Sequence, residues 1–259
     1  MSIADIRKNV FRSSWPLDDD LTAISERTAS HSFLANPSGQ YPYIYLTRFV
    51  SEACKEHFGD GMEHLALLDW GCGKGHVSKL LRALGATCLE SCDIQSDKDD
   101  SSFAQATPIL DRFGIRVTAL SHDFMLPYDD KTFDVVLSVG VLEHVKNDSE
   151  SLAEIARILK PRGLFFCFFL PSTTSWTQRL AHARGDYYHD RLYSRHSVIA
   201  LLERHKLNLV EFWRRQLFPK NSVRYPAFRS FERLDHLLTE HTPLGRLATN
   251  IEFVAVKRS

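Results

Sequence analysis

The chain has 259 residues, of which 44% are hydrophobic and 25% charged, and its 32 basic residues balance its 32 acidic residues. These values are ordinary for a soluble globular protein, and the length suits one large α/β domain with a buried core. The longest apolar run, residues 164–170, is too short to span a bilayer. No apolar segment follows the basic N-terminal residues, so a secretory signal is not expected. We therefore expect a cytoplasmic protein whose five scattered cysteines are reduced.

Residues 1–60 are predicted to form a helical N-terminal cap, with one helix near residues 45–58. Tyr41, Tyr43 and Tyr45 alternate just before that helix. Two interpretations of this segment are open. It either closes over a bound ligand, with Tyr43 as a substrate contact, or packs on the domain as a strand-like arm.

A short apolar strand at residues 65–70 runs into a glycine-rich turn, Asp69-Trp70-Gly71-Cys72-Gly73-Lys74-Gly75, and a helix is predicted from His76 to Leu84. Glycine allows the sharp turn and close ligand approach, and the helix N-terminus offers unpaired N–H groups. The dinucleotide fingerprint needs its third glycine where His76 stands. Asp69 would also repel a pyrophosphate, whereas it could accept hydrogen bonds from an ammonium group. An ordinary glycine turn is the alternative.

A second predicted strand, residues 87–93, ends in an acid that suits a ribose. Asp93 follows Gly71 by 22 residues, close to the spacing of about 20 for a ribose-binding carboxylate. An ionised Asp accepts hydrogen bonds from both ribose hydroxyls, and Ile94 would then lie against the base. The alternative is a surface acid at a strand end.

Further motifs follow at compatible spacing. A third strand (residues 115–120) precedes Asp123-Phe124, a fourth spans residues 133–139, and Leu142-Glu143-His144-Val145 and Leu159-Lys160-Pro161-Arg162-Gly163 come next. Over about residues 60 to 170, this series resembles the class I S-adenosylmethionine (SAM) methyltransferases of the type-11 domain family, which includes quinone-biosynthesis methyltransferases. Arg162 replaces the first glycine of that family's turn.

The resemblance implies a doubly wound, mostly parallel seven-stranded Rossmann-like sheet with an antiparallel last strand and helices on both faces. It also implies SAM as cofactor, with Asp123 and the Phe124 backbone meeting the adenine. The cofactor-binding residues expected on this basis are Asp69, Gly71, Cys72, Gly73, Gly75, Asp93, Ile94, Asp123, Phe124 and Val139.

Residues 61–259 are predicted to form the SAM-binding domain, with insertions at about 171–196 and 218–245. Ligands of open α/β sheets bind outside the carboxyl ends of the strands, so both insertions are expected to cover the acceptor. The alternative is a structural loop whose tyrosines pack on the core. The other elements expected here are a strand at 164–170, a helix at 194–205, a strand at 207–215, a helix at 228–240 and a last strand at 251–256.

Charge divides unevenly along the chain. Residues 1–156 hold 14 Lys/Arg and 24 Asp/Glu, whereas residues 157–233 hold 15 and 5. Arginine binds phosphate and carboxylate groups through two parallel hydrogen bonds. We therefore predict a possible anionic acceptor, such as a sugar, glycan, lipid precursor or secondary metabolite, contacted by Arg191 and Arg195; a solvated basic face is the alternative. No long basic run or metal-ligand spacing is present, so neither nucleic acid nor a metal is expected.

Methyl transfer to oxygen needs a general base. His144 is the first candidate, since the loop after the fourth strand faces the transferred methyl in related enzymes; the alternative is that Glu143-His144 only caps that loop. His189 is the second candidate, and Tyr188 is expected to orient the acceptor. The sequence thus predicts a SAM-dependent methyltransferase. Its rivals are a nucleotide-dependent oxidoreductase, disfavoured by the glycine spacing, and a non-catalytic SAM-binding relative.

Overall fold

The computed structural model describes residues 1–94, 108–122, 124–185, 191–218 and 228–259. Three of the predicted site residues, Asp123, Tyr188 and His189, lie outside the described residues. Within these ranges, no helix combines the length and the apolar character needed to cross a bilayer.

The described strands form one seven-stranded sheet. They are β1 Ala66–Trp70, β2 Cys88–Ile94, β3 Thr118–Leu120, β4 Phe133–Val139, β5 Leu159–Pro171, β6 Leu207–Arg215 and β7 Asn250–Lys257. Their order is β3-β2-β1-β4-β5-β7-β6. The first five strands pair in parallel, and β7 lies antiparallel between β5 and β6. The predicted fold class is confirmed, including the antiparallel last strand.

Nine α-helices are found in the described ranges. They are α1 Ile3–Arg12, α2 Asp19–Arg27, α3 Pro37–Phe58, α4 His76–Ala83, α5 Pro108–Arg112, α6 Asp148–Ile158, α7 Trp176–Ala183, α8 Arg195–Arg204 and α9 Phe228–His241. Helix α7 was not expected from the sequence, where residues 171–196 looked like one irregular insertion. Strand β5 is longer at both ends than predicted.

Of the two interpretations of the tyrosine segment, the strand-like arm is wrong, because α3 begins at residue 37 and contains all three tyrosines. The Asn36 side chain accepts from the N–H of Gly39 at 3.0 Å, and a proline follows at the first helical position. Both features start helices. On a helix, Tyr41 and Tyr45 share the buried side, whereas Tyr43 faces the glycine-rich turn.

Helix α3 packs directly on the sheet. The ring of Phe49 lies edge-on to Phe166, Phe168 and Trp213 at centroid distances of 5.9, 6.3 and 5.4 Å. Edge-to-face contacts of this kind add to the burial of the rings. Helices α1 and α3 therefore share one hydrophobic core with β4, β5 and β7. The predicted boundary at residues 60–61 stays a prediction.

Candidate functional site

A cavity of ≈ 330 Å³ opens at the carboxyl ends of β1, β2 and β4, within the size range of small-molecule sites. Strand order reverses between β1 and β4, which is where open α/β sheets bind ligands. The wall of this cavity includes nine of the predicted site residues: Tyr43, Asp69, Gly71, Cys72, Gly73, Asp93, Ile94, Val139 and His144.

The glycine-rich turn lies over the end of β2. The N–H groups of Gly71 and Cys72 both donate to the carbonyl of Cys92, at 2.9 and 3.0 Å. Gly71 has φ +72°, and a Cβ there would lie 2.4 Å from a methyl of Val141. Only glycine fits such a left-handed, crowded position without strain. Gly71 thus allows the turn after β1 to touch the loop after β4.

Gly75 lies at the start of α4. It caps the N-terminus of α4 with φ +78°, and a Cβ there would lie 2.5 Å from Leu110. It is absent from the described cavity wall. Its position suits packing of the turn against α5, and its contact with the cofactor stays a prediction.

Two carboxyl groups define the electrostatics of the cavity. Asp69 is buried and accepts from the Ser78 hydroxyl at 2.5 Å, and burial raises its pKa to about 6. Asp93 accepts from the N–H groups of Gly73 and Ile94, both at 2.7 Å, and burial raises its pKa as well. The described wall contains no Lys or Arg. The site therefore favours hydroxyl and cationic groups over a pyrophosphate.

His144 lies on the wall of the cavity, in the loop after β4. Its backbone N–H donates to the carbonyl of Val141 at 2.9 Å, and its Nε2 lies 3.8 Å from the carboxylate of Glu143. Burial lowers the pKa of His144, so its imidazole is neutral at pH 7. Burial raises the pKa of Glu143 to about 7. A neutral imidazole at the cavity is chemically able to accept a proton.

The cavity also has residues that the sequence analysis missed. His76 lies on the wall, with the ring of Tyr43 edge-on at 4.3 Å. Both of its ring nitrogens are buried and lack a hydrogen-bond partner among the described residues. Burial lowers the pKa of His76 to about 4, so it is uncharged at neutral pH. In the sequence, His76 was notable only because it occupies the position of the third glycine of the dinucleotide fingerprint.

Phe124 is not on the described wall. Its ring stacks on His122 at a centroid distance of 5.3 Å. The predicted contact of its backbone with an adenine stays a prediction, as does the role of Asp123.

The structure does not bring Arg191 or Arg195 to the described wall. Arg191 donates to the carbonyls of Val145 and Lys146, both at 2.9 Å, and so fastens the loop that carries His144. Arg195 is exposed at the start of α8, with its guanidinium 5.9 Å from the ring of Phe212. Their predicted contact with an acceptor therefore gains no support from this geometry.

We expect Arg191→Ala to lower the free energy of unfolding by about 1–3 kcal/mol, because it leaves two backbone carbonyls without their donor. Arg195→Ala is the matched control and should cost less than about 0.5 kcal/mol, as exposed substitutions usually do. Urea unfolding of both variants measures the difference. Equal stability losses would contradict the fastening role of Arg191.

Taken together, the sheet order, the glycine-rich turn after β1 and the acid at the end of β2 define a Rossmann-like fold with a cavity at its switch point. A family model described as a methyltransferase domain matches residues 68–167. This match confirms the resemblance seen in the sequence over the same part of the chain.

Curated relatives match part of the chain, and solved structures share its fold. The chain is 29% identical over 140 residues to a ubiquinone biosynthesis O-methyltransferase of Rickettsia bellii (strain OSU 85-389), covering 52% of the chain and 55% of the relative. The chain thus matches about half the length of this relative. A putative sarcosine dimethylglycine methyltransferase from Galdieria sulphuraria has TM-score 0.53 and 16% identity, covering 81% and 85% of the two chains. The [4+2]-cyclase SpnF has TM-score 0.50 and 18% identity, covering 81% and 80%.

Proposed function

We propose that the protein is a SAM-dependent methyltransferase that transfers a methyl group to an oxygen atom of a small or medium-sized acceptor. The observation that carries this proposal is the pair of carboxyl groups, Asp69 and Asp93, on a cavity without Lys or Arg in its described wall. SAM combines a cationic sulfonium, an ammonium and a ribose, which suit such a wall. The printed name of the Rickettsia relative supports oxygen as the methylated atom.

The residues present fit SAM. Asp93 would hold the ribose hydroxyls, Ile94 would cover one face of the adenine, and Asp69 with the turn at residues 71–73 would surround the methionine end. The glycine at position 71 keeps this side of the cavity free of a Cβ. When bound, SAM supplies a methyl group activated by the positive sulfur.

The chain's own residues would then position the acceptor and take its proton. His144 lies on the wall formed by the loop after β4 and is proposed to accept the proton of the acceptor hydroxyl. Another part of the wall is formed by the uncharged rings of Tyr43 and His76, whose centroids are 4.3 Å apart. Holding the reactants in line and excluding water accounts for much of the acceleration in reactions of this kind.

The acceptor is proposed to be uncharged where it enters the cavity. Its expected neighbours Tyr43, Val139 and Val141 are apolar or neutral, and the nearby acids would repel an anion. An anionic group on the acceptor, as predicted from the basic residues after position 156, would have to lie outside the described wall.

Calorimetric titration with S-adenosylhomocysteine tests the cofactor assignment. We expect the wild type to bind it and not NADH, and Asp93→Ala to weaken binding by roughly 1–3 kcal/mol through the loss of a polar partner. Asp129→Ala, an exposed acid away from the cavity, is the matched control. Equal affinities of wild type and Asp93→Ala, or binding of NADH instead, would count against a SAM site.

A second candidate function is SAM binding without methyl transfer. The observation behind it is that the [4+2]-cyclase SpnF has the same fold, and a fold alone does not determine the reaction. Single-turnover formation of S-adenosylhomocysteine in the presence of acceptors separates the two candidates.

A further inference from the structure

His76 is a residue of the cavity wall whose hydrogen-bonding groups are not used by the fold. Both nitrogens of its imidazole are buried, and neither has a hydrogen-bond partner among the described residues. No other buried side-chain nitrogen or oxygen on the described wall lacks a partner in this way. A buried polar group without a partner is costly, and in native proteins it is usually satisfied by water or a ligand. A ligand in the cavity is therefore a natural partner for this imidazole.

Aromatic rings surround the imidazole of His76. The ring of Tyr43, from α3, lies edge-on to it at a centroid distance of 4.3 Å. The ring of Phe33, from a short 3₁₀ helix at Ala29–Ala35, lies edge-on at 6.0 Å. Phe169 in turn lies edge-on to Tyr43 at 5.6 Å. Packing among these rings holds the imidazole in place beside the cavity, and a preorganised group binds its ligand at a lower entropic cost.

The electrostatic environment of His76 favours an anionic ligand group. Burial lowers the pKa of His76 to about 4, and two basic residues, His31 and Lys74, lower it further. The imidazole is therefore neutral at pH 7, with one N–H donor and one acceptor nitrogen. His76 is also the first residue of α4, and no side chain caps this helix N-terminus. The positive end of the helix dipole and the nearby basic groups both attract a negative charge.

The proposed cofactor carries a negative group that the carboxyl groups of the cavity cannot hold. Asp69 and Asp93 suit the ammonium and the ribose of SAM, but they would repel the carboxylate at its methionine end. The described wall has no Lys or Arg to bind that carboxylate, and its two histidines are His76 and His144. His144 lies in the loop after β4, whereas His76 follows directly on the glycine-rich turn that is proposed to surround the methionine end. His76 is therefore the better placed donor for the carboxylate.

We infer that the imidazole N–H of His76 donates a hydrogen bond to the carboxylate of the methionine end of SAM. This inference rests on the proposed function, because it assigns one contact within the proposed SAM site. Asp69 and His76 would then bind the two opposite charges of one amino acid group, the acid its ammonium and the imidazole its carboxylate. The second imidazole nitrogen would accept from water in the cavity. His76 is thus a cofactor-binding residue rather than a second general base.

Calorimetry with two ligands that differ only in the carboxylate tests this assignment. The ligands are SAM and decarboxylated SAM, in which a hydrogen atom replaces the carboxylate. We expect the wild type to bind SAM at least about tenfold more tightly, because decarboxylated SAM cannot accept this hydrogen bond to a charged group. H76F keeps an aromatic ring but has no N–H. It should weaken the binding of SAM at least about tenfold and leave the affinity for decarboxylated SAM close to that of the wild type.

A second variant and a matched substitution elsewhere provide the controls. H76L also lacks the N–H and should behave like H76F, so the result does not depend on one replacement side chain. H64F is the matched control, because His64 is exposed and is not on the described wall. It should leave both affinities at their wild-type values. Circular dichroism checks that every variant is folded, and the comparison of the two ligands on the wild type needs no variant.

Several results would overturn the inference. Equal affinities of the wild type for the two ligands would mean that the protein makes no contact with the carboxylate. Equal losses of both ligands in H76F and H76L would mean that the imidazole only shapes the cavity. Wild-type affinity of these variants for SAM would assign the carboxylate to another group. Failure of the wild type to bind either SAM or S-adenosylhomocysteine is a separate result, because it contradicts the SAM site of the proposed function itself.

Discussion

Replacing His144 by alanine is expected to lower kcat by about two to four orders of magnitude, the usual contribution of a general base. Affinity for S-adenosylhomocysteine should be retained, because His144 is not among the predicted cofactor contacts. Since burial lowers the pKa of His144, the neutral base is present at pH 7. We expect kcat to fall only as the pH drops below the ordinary histidine value of about 6.5.

His122→Ala is the matched control, because His122 is exposed and is not on the described wall. Steady-state kinetics with an acceptor, combined with calorimetry, separates turnover from binding. If His144→Ala keeps the wild-type kcat, the Glu143-His144 pair only shapes the loop, which is the alternative that the sequence left open.

Gly71→Ala is expected to abolish measurable binding of S-adenosylhomocysteine and to destabilise the fold. The new Cβ would lie 2.4 and 2.7 Å from the two methyls of Val141, an overlap that typically costs about 1–3 kcal/mol. The left-handed backbone at φ +72° adds roughly 1–2 kcal/mol for any residue with a Cβ. Because the turn and the loop after β4 are both part of the wall, moving them apart changes the cavity.

Gly73→Ala separates these two effects. Gly73 also has a positive φ, +53°, but a Cβ there would have nothing within 4 Å. We expect Gly73→Ala to be destabilised only by the left-handed backbone conformation and not by a steric overlap. The double variant Gly71→Ala/Val141→Ala should regain part of the lost stability by removing the overlapping methyls. Thermal unfolding and calorimetry of the three variants measure this, and equal losses in Gly71→Ala and Gly73→Ala would show that the contact with Val141 is unimportant.

Much of the fold was predictable because its signals are local. Strands β4 and β6 begin and end where the apolar runs indicated, and the last strand is antiparallel as the resemblance implied. The strand-like interpretation of Tyr41, Tyr43 and Tyr45 rested on their alternation and overlooked the helix start at Asn36-Pro37. Helix α7 was missed because the polar and aromatic residues of the segment hide its start at Ser175, whose side chain accepts from the N–H of Gln178.

The candidate site was predictable where one short motif forms it. The turn at Gly71 and the acid Asp93 lie on neighbouring parallel strands, so spacing alone brings them together. The expected roles of Arg191 and Arg195 rested on charge composition, which does not determine which groups an arginine side chain contacts. His76 and Val141 are on the wall through packing between distant segments, and no local pattern records that.

The position of β7 has a consequence for how the chain folds during synthesis. Strand β6 pairs only with β7 in the described sheet, although β6 is made some forty residues earlier. Until the ribosome has released residues 250–257, β6 has no partner and β5 has an open edge. Helix α1 likewise reaches its final ion pairs late, because Arg7 binds Glu211 and Glu240, which both follow it by more than 200 residues. Exposed strand edges of this kind can pair with other chains until this region has been translated.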